Sequence, residues 1–459
     1  MKFGGTSVGD VAAFERVFHI VSTQVEKRPV VVVSAMTKVT DALLSAFETA
    51  KRGDFAEAFA SLEPHFERHD LVCEELMPTG MPNAFGGELD FARGELSDLL
   101  IRVSRRSLPL SMLKDAVVSY GEQLSSRLLA EILKAKGIKT RHVDSRRLIV
   151  TDDEYGAAQP IIDETEKLVR AELNPIIADG EVPIMGGFIA ASRGGETTTL
   201  GRGGSDYSAA LIAGALRARE LQIWTDVTGV MTCDPRICGD ASTIPVLSYE
   251  EAAELAYFGA KVLHPKTIKP AVDHRIPVRV CNTFEPGETG TMILADSAEA
   301  PNRIKSIAYK KNITVLRISS ARMLGSYGFM SALFQVFERY RTVIDVVSTS
   351  EVSVALTLDN PTSIDQIVIE LGRLGEVEVE PGHAVVCVVG EGLRASSGMA
   401  STVFSTIHDI NVSLISHGAS SVNLTFVVKE QYVSDVIKRL HQAFFVEKKG
   451  NLKKQNEFV

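Results

Sequence analysis

The sequence has few cysteines, and no two of them form a CxxC pair. The five cysteines span positions 73 to 387: Cys73, Cys233, Cys238, Cys281 and Cys387. An odd, scattered set of this kind is typical of free thiols in a reducing compartment and argues against a disulfide framework. Cys233 and Cys238 are close in sequence, but no second Cys/His pair completes a set of metal ligands, so we expect no metal site.

Positive charge is also scarce. With 49 basic and 58 acidic residues the formal net charge is -9, so the chain lacks the basic surface that nucleic-acid-binding proteins carry. The first twenty residues hold Asp10, Glu15 and Arg16 within their apolar pattern, which argues against a secretory or membrane-spanning segment there. We therefore expect a cytoplasmic protein with no nucleic-acid and no membrane partner. A small anionic ligand would need a locally concentrated positive site.

Length and apolar content are sufficient for two or three domains, since 45% of the 459 residues are hydrophobic. Up to about residue 295, helical spacing alternates with short apolar runs such as VVVVS, VPIMGGFIA, LQIWTDV and IPVRVC. This alternation predicts an α/β layered sandwich with a mostly parallel sheet. We expect one helix from Val117 to Lys136, and an excursion over the sheet, resembling a lid, from Asp41 to Lys114.

An internal repeat follows residue 301. The segment VIDVVSTSEVSVALTL begins at Val343, and NVSLISHGASSVNLTF begins at Asn411, 68 residues later, aligning without a gap. A period of this length predicts two copies of a small βαββαβ domain. Chance similarity between two amphipathic strand pairs is the alternative.

The opening stretch MKFGGTSVGD is the first candidate for chemistry. If Met1 to Phe3 end a strand and Gly4 to Ser7 turn into a helix at Val11, glycine amides and the helix N terminus face one point, which favours an anion. Lys2 adds a positive charge. The stretch is not a Walker A loop, because its lysine precedes the glycines. An ordinary tight turn is the alternative.

The second candidate is TTTLGRGGSDYSAALIA. Its glycines let a ligand approach the backbone, Arg202 can clamp a carboxylate, and Asp206 can accept an ammonium group. These are the groups that an amino-acid ligand needs. Alternatively, Asp206 only caps the following helix and Arg202 is a solvated loop residue.

Two further stretches suggest a nucleotide. In IWTDVTGVMTCDPR, Thr225 and Asp226 follow a predicted strand and precede Asp234 and Arg236. Ligands of open parallel sheets bind beyond the carboxyl ends of strands, so this loop can form a nucleotide rim. In FGAKVLHP, Lys261 can reach a phosphate, although a solvated lysine at a helix end is the common alternative.

Taken together and in this order, these motifs and STSEVSVALTL resemble the aspartokinases, amino-acid kinases with C-terminal ACT domains, and most resemble the monofunctional lysine-sensitive type. The match runs from residue 1 to about 446. It implies a three-layer amino-acid kinase sandwich followed by two regulatory ACT domains. The implied division is residues 1–295 for the kinase, 313–382 for the first ACT domain, 303–312 plus 383–446 for the second, and 447–459 for a tail. No fused homoserine dehydrogenase is expected.

The implied activity is ATP-dependent phosphorylation of the β-carboxylate of L-aspartate to 4-phospho-L-aspartate, with Mg²⁺. This is the first step towards lysine, threonine and methionine. A carboxylate nucleophile is already ionised at neutral pH, so the reaction needs positioning and charge stabilisation but no general base.

The resemblance also assigns residues. It makes Lys2 and Asp206 catalytic, and it assigns none to a metal. Its aspartate-binding positions are Ser34, Thr40, Glu122, Phe188, Arg202, Gly203, Ser205 and Asp206. Its ATP-binding positions are Lys2, Gly4, Gly5, Thr6, Ser7, Thr225, Asp226, Met231, Asp234, Arg236, Lys261 and Val262.

The ACT domains imply an allosteric effector, lysine or threonine, and a homodimer or tetramer. The effector positions carried over are Met323, Ser326, Gly328, Phe329, Met330, Asp345, Ser350 and Glu351. Gly325 stands where some lysine-binding members have histidine, and Val343 where a small polar residue is usual. Lysine sensitivity is therefore expected to be weak, shifted to threonine, or absent.

Two other departures and two rival functions complete the sequence evidence. Met231 replaces a tyrosine that often packs near adenine, and only Met1 precedes Lys2 where relatives have a longer apolar run. The rival functions are a catalytically silent amino-acid sensor and a kinase for another amino-acid carboxylate. The presence of Lys2, Glu122 and Arg202 disfavours the silent sensor.

Overall fold

The structure, a computed structural model, describes residues 1–77, 84–259, 265–295, 304–359 and 362–446. The chain divides into two compact units: Met1–Val230 with Val262–Asp296, and Met231–Lys261 with Ser297–Val459. Residues 231–259 group with the second unit, and the domain bounds given above, with one kinase domain over 1–295, stay a prediction.

The first unit alternates strands and helices, numbered here in chain order through both units. Its strands are β1 (Lys2–Phe3), β2 (Val31–Val33), β3 (Thr140–His142), β4 (Val150–Thr151), β5 (Val182–Gly186), β6 (Ile189–Ser192), β7 (Thr197–Thr199), β8 (Leu221–Thr225), β10 (Val278–Asn282) and β11 (Thr291–Leu294). Its helices are α1 (Val11–Ser22), α2 (Val39–Lys51), α3 (Phe55–Ala60), α4 (Glu63–Leu76), α5 (Ala84–Arg105), α6 (Leu110–Val118), α7 (Tyr120–Ala135), α8 (Ile162–Ala178), α9 (Gly204–Leu216) and α11 (Pro265–Asp273).

The main sheet of this unit confirms the predicted parallel arrangement. Its strands run in the order β3-β5-β2-β1-β8-β10-β11. Among the described strands of this unit, the pairs are parallel from β3 to β10, and β10 and β11 pair antiparallel. Strands β4, β6 and β7 form a separate small sheet. The run VPIMGGFIA, which reads as one strand, is thus divided between the two sheets.

Helices cover both faces of the main sheet. On one face Phe3, Val31, Val33 and Ile184 share a hydrophobic core with α1, α2 and α4–α7. Helices α8, α9 and α11 pack on one another, and α9 also contacts β1, β2 and β8. The predicted lid over 41–114 is wrong, because α2, α4 and α5 contribute fully buried side chains to this core.

The helix predicted from Val117 to Lys136 is found as α7, which begins three residues later than predicted, because α6 ends at Val118 and a turn residue, Ser119, separates the two helices. The Ser119 hydroxyl donates to the Ala116 carbonyl at 2.7 Å and accepts from Gln123 Nε2 at 2.8 Å. A serine hydroxyl that bonds a nearby carbonyl competes with the helical backbone pattern. The first turn of α7 lies against β5, since a Cβ at Gly186 would be 2.9 Å from Glu122 Cβ.

The second unit holds a mixed segment followed by an antiparallel sheet. Its elements are β9 (Val246–Ser248), α10 (Tyr249–Tyr257), β12 (Ile304–Ser319), α12 (Phe329–Arg339), β13 (Val347–Thr349), β14 (Ser353–Leu358), α13 (Ile364–Leu371), β15 (Glu376–Gly390), α14 (Met399–Thr406), β16 (Val412–His417), β17 (Asn423–Lys429) and α15 (Val433–His441). The sheet order is β13-β14-β12-β15-β17-β16.

The long strands β12 and β15 join two halves of this sheet. Residues 314–319 of β12 pair with β14, and residues 304–310 pair with the second part of β15. The two repeated sequence segments form the hairpins β13-β14 and β16-β17 at opposite edges. Each half packs its own hydrophobic core, as expected for two βαββαβ copies. No helix in the described ranges is long and apolar enough to cross a membrane.

Candidate active site

The lysine of the opening motif is fixed by the central strand of the main sheet. β1 pairs in parallel with β2 on one side and β8 on the other. Because neighbouring residues of a strand face opposite sides, Phe3 enters the core and Lys2 faces α9. Lys2 Nζ lies 2.8 Å from Asp206 Oδ1 in the first turn of α9, and the two side chains are only 11% and 16% exposed. The strand therefore presents a paired, largely buried cation.

This ion pair lies in a pocket of about 370 Å³ at the carboxyl ends of the parallel strands. Ligands of open α/β sheets bind at this edge. The lining residues come from the β1 turn, the β2–α2 loop, α7, the β5–β6 turn and the start of α9: Lys2, Gly5, Ser34, Ala35, Met36, Thr37, Lys38, Thr40, Asp41, Glu122, Phe188, Gly201, Gly203, Gly204, Ser205 and Asp206.

The wall between β5 and α9 depends on a close backbone approach. A Cβ at Gly187 would lie 2.6 Å from Ser205 Cα, so only glycine fits there. Phe188 adopts a left-handed φ of 65°, which is unusual for a large side chain. Its backbone is held by a bond from its N–H to Ser208 Oγ at 3.0 Å and by a bond from the Leu200 N–H to its carbonyl at 2.9 Å. The strained turn thereby places the Phe188 ring in the pocket.

Glu122 is the buried acid of the pocket. It lies in the first turn of α7 and is 4% exposed. Burial raises its pKa to about 8, and this effect exceeds the opposing influence of the Ala35 backbone and of Lys2. Its Oε2 atom is buried without a hydrogen-bond partner in the described part of the chain. A carboxyl group with a free acceptor facing a polar pocket suits a cationic ligand group.

Seven of the eight residues predicted to bind aspartate line this one pocket: Ser34, Thr40, Glu122, Phe188, Gly203, Ser205 and Asp206. The eighth, Arg202, is exposed and is not among the lining residues. Within the described ranges it has no ion-pair partner. The structure therefore does not bring the predicted carboxylate clamp into the pocket wall.

The glycine turn after Lys2 differs in part from the prediction. Gly5 lines the pocket, whereas Gly4, Thr6 and Ser7 do not. Ser7 is fully buried, and its hydroxyl lies 2.7 Å from Thr283 Oγ1. Its side chain thus serves the packing of the turn.

We predicted that the glycine turn and the N terminus of α1 face one point at which an anion binds. The structure does not have this arrangement. A short 3-10 turn, Gly5–Val8, separates the glycines from α1. Asp10 caps α1 by accepting a hydrogen bond from the Ala13 N–H at 2.8 Å. That prediction is therefore wrong, because a carboxylate of the chain already occupies the helix end.

The remaining predicted nucleotide residues lie in both units. Thr225 ends β8, and its hydroxyl donates to Asp226 at 3.1 Å. In the second unit, Asp234 pairs with Arg236 at 2.7 Å and accepts from the Tyr309 hydroxyl at 3.0 Å. The bonds from Arg236 hold the pKa of Asp234 at about 2, so this carboxylate is ionised at neutral pH.

Of the other three predicted nucleotide positions, Met231 is described, and its carbonyl accepts a hydrogen bond from Ser306 Oγ at 2.7 Å. Met231 is half-buried at the start of the second unit. Lys261 and Val262 lie outside the described residues.

Asp345 is the best-defined of the predicted effector residues. Its side chain is fully buried, and its Oδ1 atom contacts Lys310 Nζ at 3.0 Å and the Tyr257 hydroxyl at 2.5 Å. Lys310 also pairs with Asp359 at 2.8 Å. These residues line a pocket of about 300 Å³. Asp345 Oδ2 has no hydrogen-bond partner among the described residues, so one oxygen stays open to a ligand.

The other effector candidates do not line that pocket. They are half-buried or exposed on the loop before α12, on its first turn and on the β13–β14 turn: Met323, Ser326, Gly328, Phe329, Met330, Ser350 and Glu351. The same loop exposes Leu324 and Tyr327, at 66% and 102%. The predicted effector set is thus divided between a buried acid and an exposed apolar surface.

Sequence reasoning missed part of both pockets. Thr37, Lys38 and Asp41 line the first, and the Thr37 hydroxyl donates to the Gly5 carbonyl at 2.7 Å. These three residues were predictable from the sequence, because they belong to the polar segment that directly follows the buried strand β2. Tyr257 and Lys310 contact Asp345 from distant parts of the chain, and no local pattern indicates this.

Comparison with known proteins adds independent evidence. Residues 1–282 match the amino acid kinase family, and residues 386–444 match the ACT domain. The lysine-sensitive aspartokinase 3 of Escherichia coli is 38% identical over 97% of this chain and 98% of its own length. The chloroplastic aspartokinase 1 of Arabidopsis thaliana is 37% identical over 97% of this chain and 80% of its own length.

Two solved structures of E. coli aspartokinase III are also similar. The complex with aspartate and ADP, in the R-state, has a TM-score of 0.81 and 36% identity, covering 97% of this chain and 99% of the other. The complex with lysine and aspartate, in the T-state, has a TM-score of 0.81 and 37% identity, covering 97% and 98%. The predicted fold class is confirmed by these matches together with the sheets described above.

The buried acid predicts a pH-dependent stability. The Glu122 pKa is about 8 in the fold against an ordinary 4.5, so between these values the unfolded chain is ionised while the fold keeps the proton. The free energy of unfolding should therefore fall as pH rises from about 5 to 8, by up to roughly 1.4 kcal/mol per pH unit. Glu122→Gln removes this contribution. Urea unfolding at several pH values should show the variant gaining stability over wild type as pH rises.

Glu131→Gln, on the same helix, is the matched control and should run parallel to wild type. Parallel curves for Glu122→Gln as well would show that Glu122 does not hold a proton in the fold.

Proposed function

We propose roles for the individual residues of the pocket. The starting point is that the chain belongs to the amino acid kinase family and, within it, to the aspartokinases. It is an aspartate kinase, which uses ATP to phosphorylate the β-carboxylate of L-aspartate and yields 4-phospho-L-aspartate. This is the first step of the pathway to lysine, threonine and methionine. The observation that carries the assignment to this pocket is the meeting of Lys2, Glu122 and Asp206 around one cavity.

Glu122 is the acceptor for the α-ammonium group of aspartate. Glu122 lines the pocket, and its Oε2 atom has no hydrogen-bond partner among the described residues. An ammonium group brought close to a buried carboxyl lowers its pKa, so binding of aspartate below pH 8 releases the Glu122 proton. Glu122 thereby becomes negatively charged when aspartate binds.

Lys2 stabilises the phosphoryl group as it moves to the aspartate carboxylate. A fixed cation acts where charge develops in the transition state, and its position costs no rearrangement at the moment of transfer. Asp206 orients Lys2 through the 2.8 Å ion pair. Because the nucleophile is a carboxylate, no residue of the pocket has to remove a proton.

The nucleotide enters as its magnesium complex. Carboxylate oxygens are ligands that Mg²⁺ prefers, and the pocket offers the carboxylates of Asp206 and Asp41. Mg²⁺ neutralises phosphate charge when it is bound. Gly5 lines the pocket with backbone alone, because it has no side chain. The family resemblance still predicts five further nucleotide-binding residues: Thr225, Asp226, Met231, Asp234 and Arg236.

The ACT domains regulate the enzyme, and we assign lysine as the effector. Asp345 supports this assignment, since it is a buried carboxylate with one open oxygen at a polar pocket. Lys310 already lies 3.0 Å from its other oxygen and would repel a second ammonium group. This arrangement favours weak sensitivity to lysine over none.

We further propose a homodimer in which a partner subunit covers Leu324 and Tyr327, because large apolar side chains exposed together on one loop favour association.

Lys2→Met should lower kcat by about 100- to 1000-fold, because it removes a charge used in the transition state. The KM for aspartate should change by only a few-fold. Steady-state kinetics of the full-length variant measure both quantities. Lys27→Met, an exposed lysine, is the control and should match wild type. A Lys2→Met enzyme with wild-type kcat would remove Lys2 from the mechanism.

Arg202→Ala should raise the KM for aspartate by roughly 10- to 100-fold if the exposed guanidinium turns inwards to clamp the α-carboxylate, since bonds to charged groups contribute about 1.5–3 kcal/mol. The KM for ATP should stay near the wild-type value. Arg219→Ala, also exposed, is the control. An unchanged KM for aspartate would assign the carboxylate to other groups, such as the backbone amides at the start of α9.

Lys310→Met should lower the lysine concentration for half-inhibition by about tenfold or more, because it removes the competing cation beside Asp345. Inhibition curves at fixed aspartate measure the shift. Lys311→Met, its exposed neighbour, is the control. A higher half-inhibitory concentration in Lys310→Met would mean that Lys310 supports the effector site.

A further inference from the structure

Two cysteines and a histidine meet in the second unit, far from the catalytic pocket residues in sequence. Cys233 and Cys238 lie in the segment before β9, and His441 ends α15. Their ligand atoms all lie within 4.8 Å of one another. The three residues are 2%, 5% and 2% exposed. The sequence offered no third ligand near the cysteines, and the fold supplies one from about 200 positions away.

The spacing is close to that of a tetrahedral metal site. Ligand atoms on bonds of about 2.0–2.3 Å lie roughly 3.3–3.8 Å apart at tetrahedral angles. The three ligand atoms of this cluster lie at most 4.8 Å apart, which exceeds the tetrahedral separation by about one ångström. A small rotation of the side chains can remove this difference. Thiolate sulfur with imidazole nitrogen is a ligand set typical of zinc.

The imidazole has partners suited to a metal ligand. One ring nitrogen of His441, Nε2, lies 3.0 Å from Thr232 Oγ1, and the other, Nδ1, lies 3.4 Å from Asp240 Oδ1. Whichever nitrogen binds a metal, the other keeps a hydroxyl or carboxylate partner. Such a partner orients the ring and raises its basicity in metal sites.

Access and a fourth ligand are also present. Cys238, Asp240 and His441 line an open pocket of about 330 Å³, so an ion can enter. The Asp240 side chain is 59% exposed and can rotate towards the ion, or water can occupy the fourth position. Lys438 lines the same pocket, and its positive charge balances part of the charge of two thiolates.

The alternatives fit less well. Cys233 and Cys238 are 2% and 5% exposed, whereas catalytic and redox-sensing cysteines are at least partly accessible to solvent, which argues against those roles. The three groups also lie among apolar neighbours such as Ile237 and Ala241, so no polar substrate is indicated.

We propose that Cys233, Cys238 and His441 bind one thiophilic divalent cation of the zinc type, with Asp240 or water as the fourth ligand. Each thiol gives up its proton on binding, and no electron is transferred. The ion ties the segment that carries Asp234 and Arg236 to α15, within the second unit. It therefore stabilises that segment independently of the kinase reaction.

The test uses the full-length protein, stripped with a chelator under reducing conditions and titrated with Co²⁺ as a spectroscopic probe. We expect one Co²⁺ per chain, thiolate-to-cobalt charge-transfer absorption, tetrahedral ligand-field bands, and displacement by Zn²⁺. Zn²⁺ should raise Tm by several degrees, because it binds only the folded state. It should also protect Cys233 and Cys238 from a thiol reagent, as mapped by mass spectrometry.

Cys233→Ser, Cys238→Ser and His441→Asn should each lose the charge-transfer band or weaken Co²⁺ binding at least tenfold. Cys387→Ser, which changes a buried thiol of the same unit outside the cluster, should keep both. Absence of the band in wild type, an unchanged band in all three variants, or no Zn²⁺ protection of the two thiols would each overturn the proposal. The protection result needs no variant and so stands even if a variant fails to fold.

Discussion

The site depends on a two-residue strand, β1, held between two parallel neighbours. Because residues alternate along a strand, Phe3 anchors the strand in the core while Lys2 faces α9 and meets Asp206. A shift of the strand by one residue would exchange these two environments, burying a charge in the core and removing the cation from the pocket. The position of the Lys2 charge is therefore fixed by sheet register, and the stability of the core maintains it.

The pocket manages charge locally in a protein that is acidic overall. Lys2 and Asp206 neutralise each other, and Glu122 keeps a proton because it is buried. Lys38 and Asp41 line the same pocket, so a ligand that brings an ammonium group and a phosphate group meets charges of both signs and, in Glu122, an acid that can still ionise. In the role proposed for Glu122, the binding of aspartate and the ionisation of this acid are linked, so the substrate would complete the electrostatic arrangement of the site.

The fold class and part of the pocket were predictable from sequence, because alternating strands and helices and a glycine-rich loop leave local patterns. Gly203 and Asp206 are found in this way, whereas Ser34 is assigned by the family resemblance. Pairings between distant segments leave no such pattern, which is why the Lys310–Asp345 contact and the approach of His441 to Cys233 were missed. The α1 prediction failed for another reason. Asp10 follows the glycine turn in the sequence, and an aspartate at a helix start competes with an anion for the same backbone N–H groups.

The most direct test of the central claim is the ATP- and magnesium-dependent formation of aspartyl phosphate, trapped as the hydroxamate, measured with aspartate and with glutamate, and with and without lysine. The account predicts product with aspartate only, and partial inhibition at high lysine concentration. Product with glutamate at a comparable rate would contradict the assigned substrate. No product from a folded, ATP-binding protein would contradict the kinase mechanism built on Lys2 and Glu122.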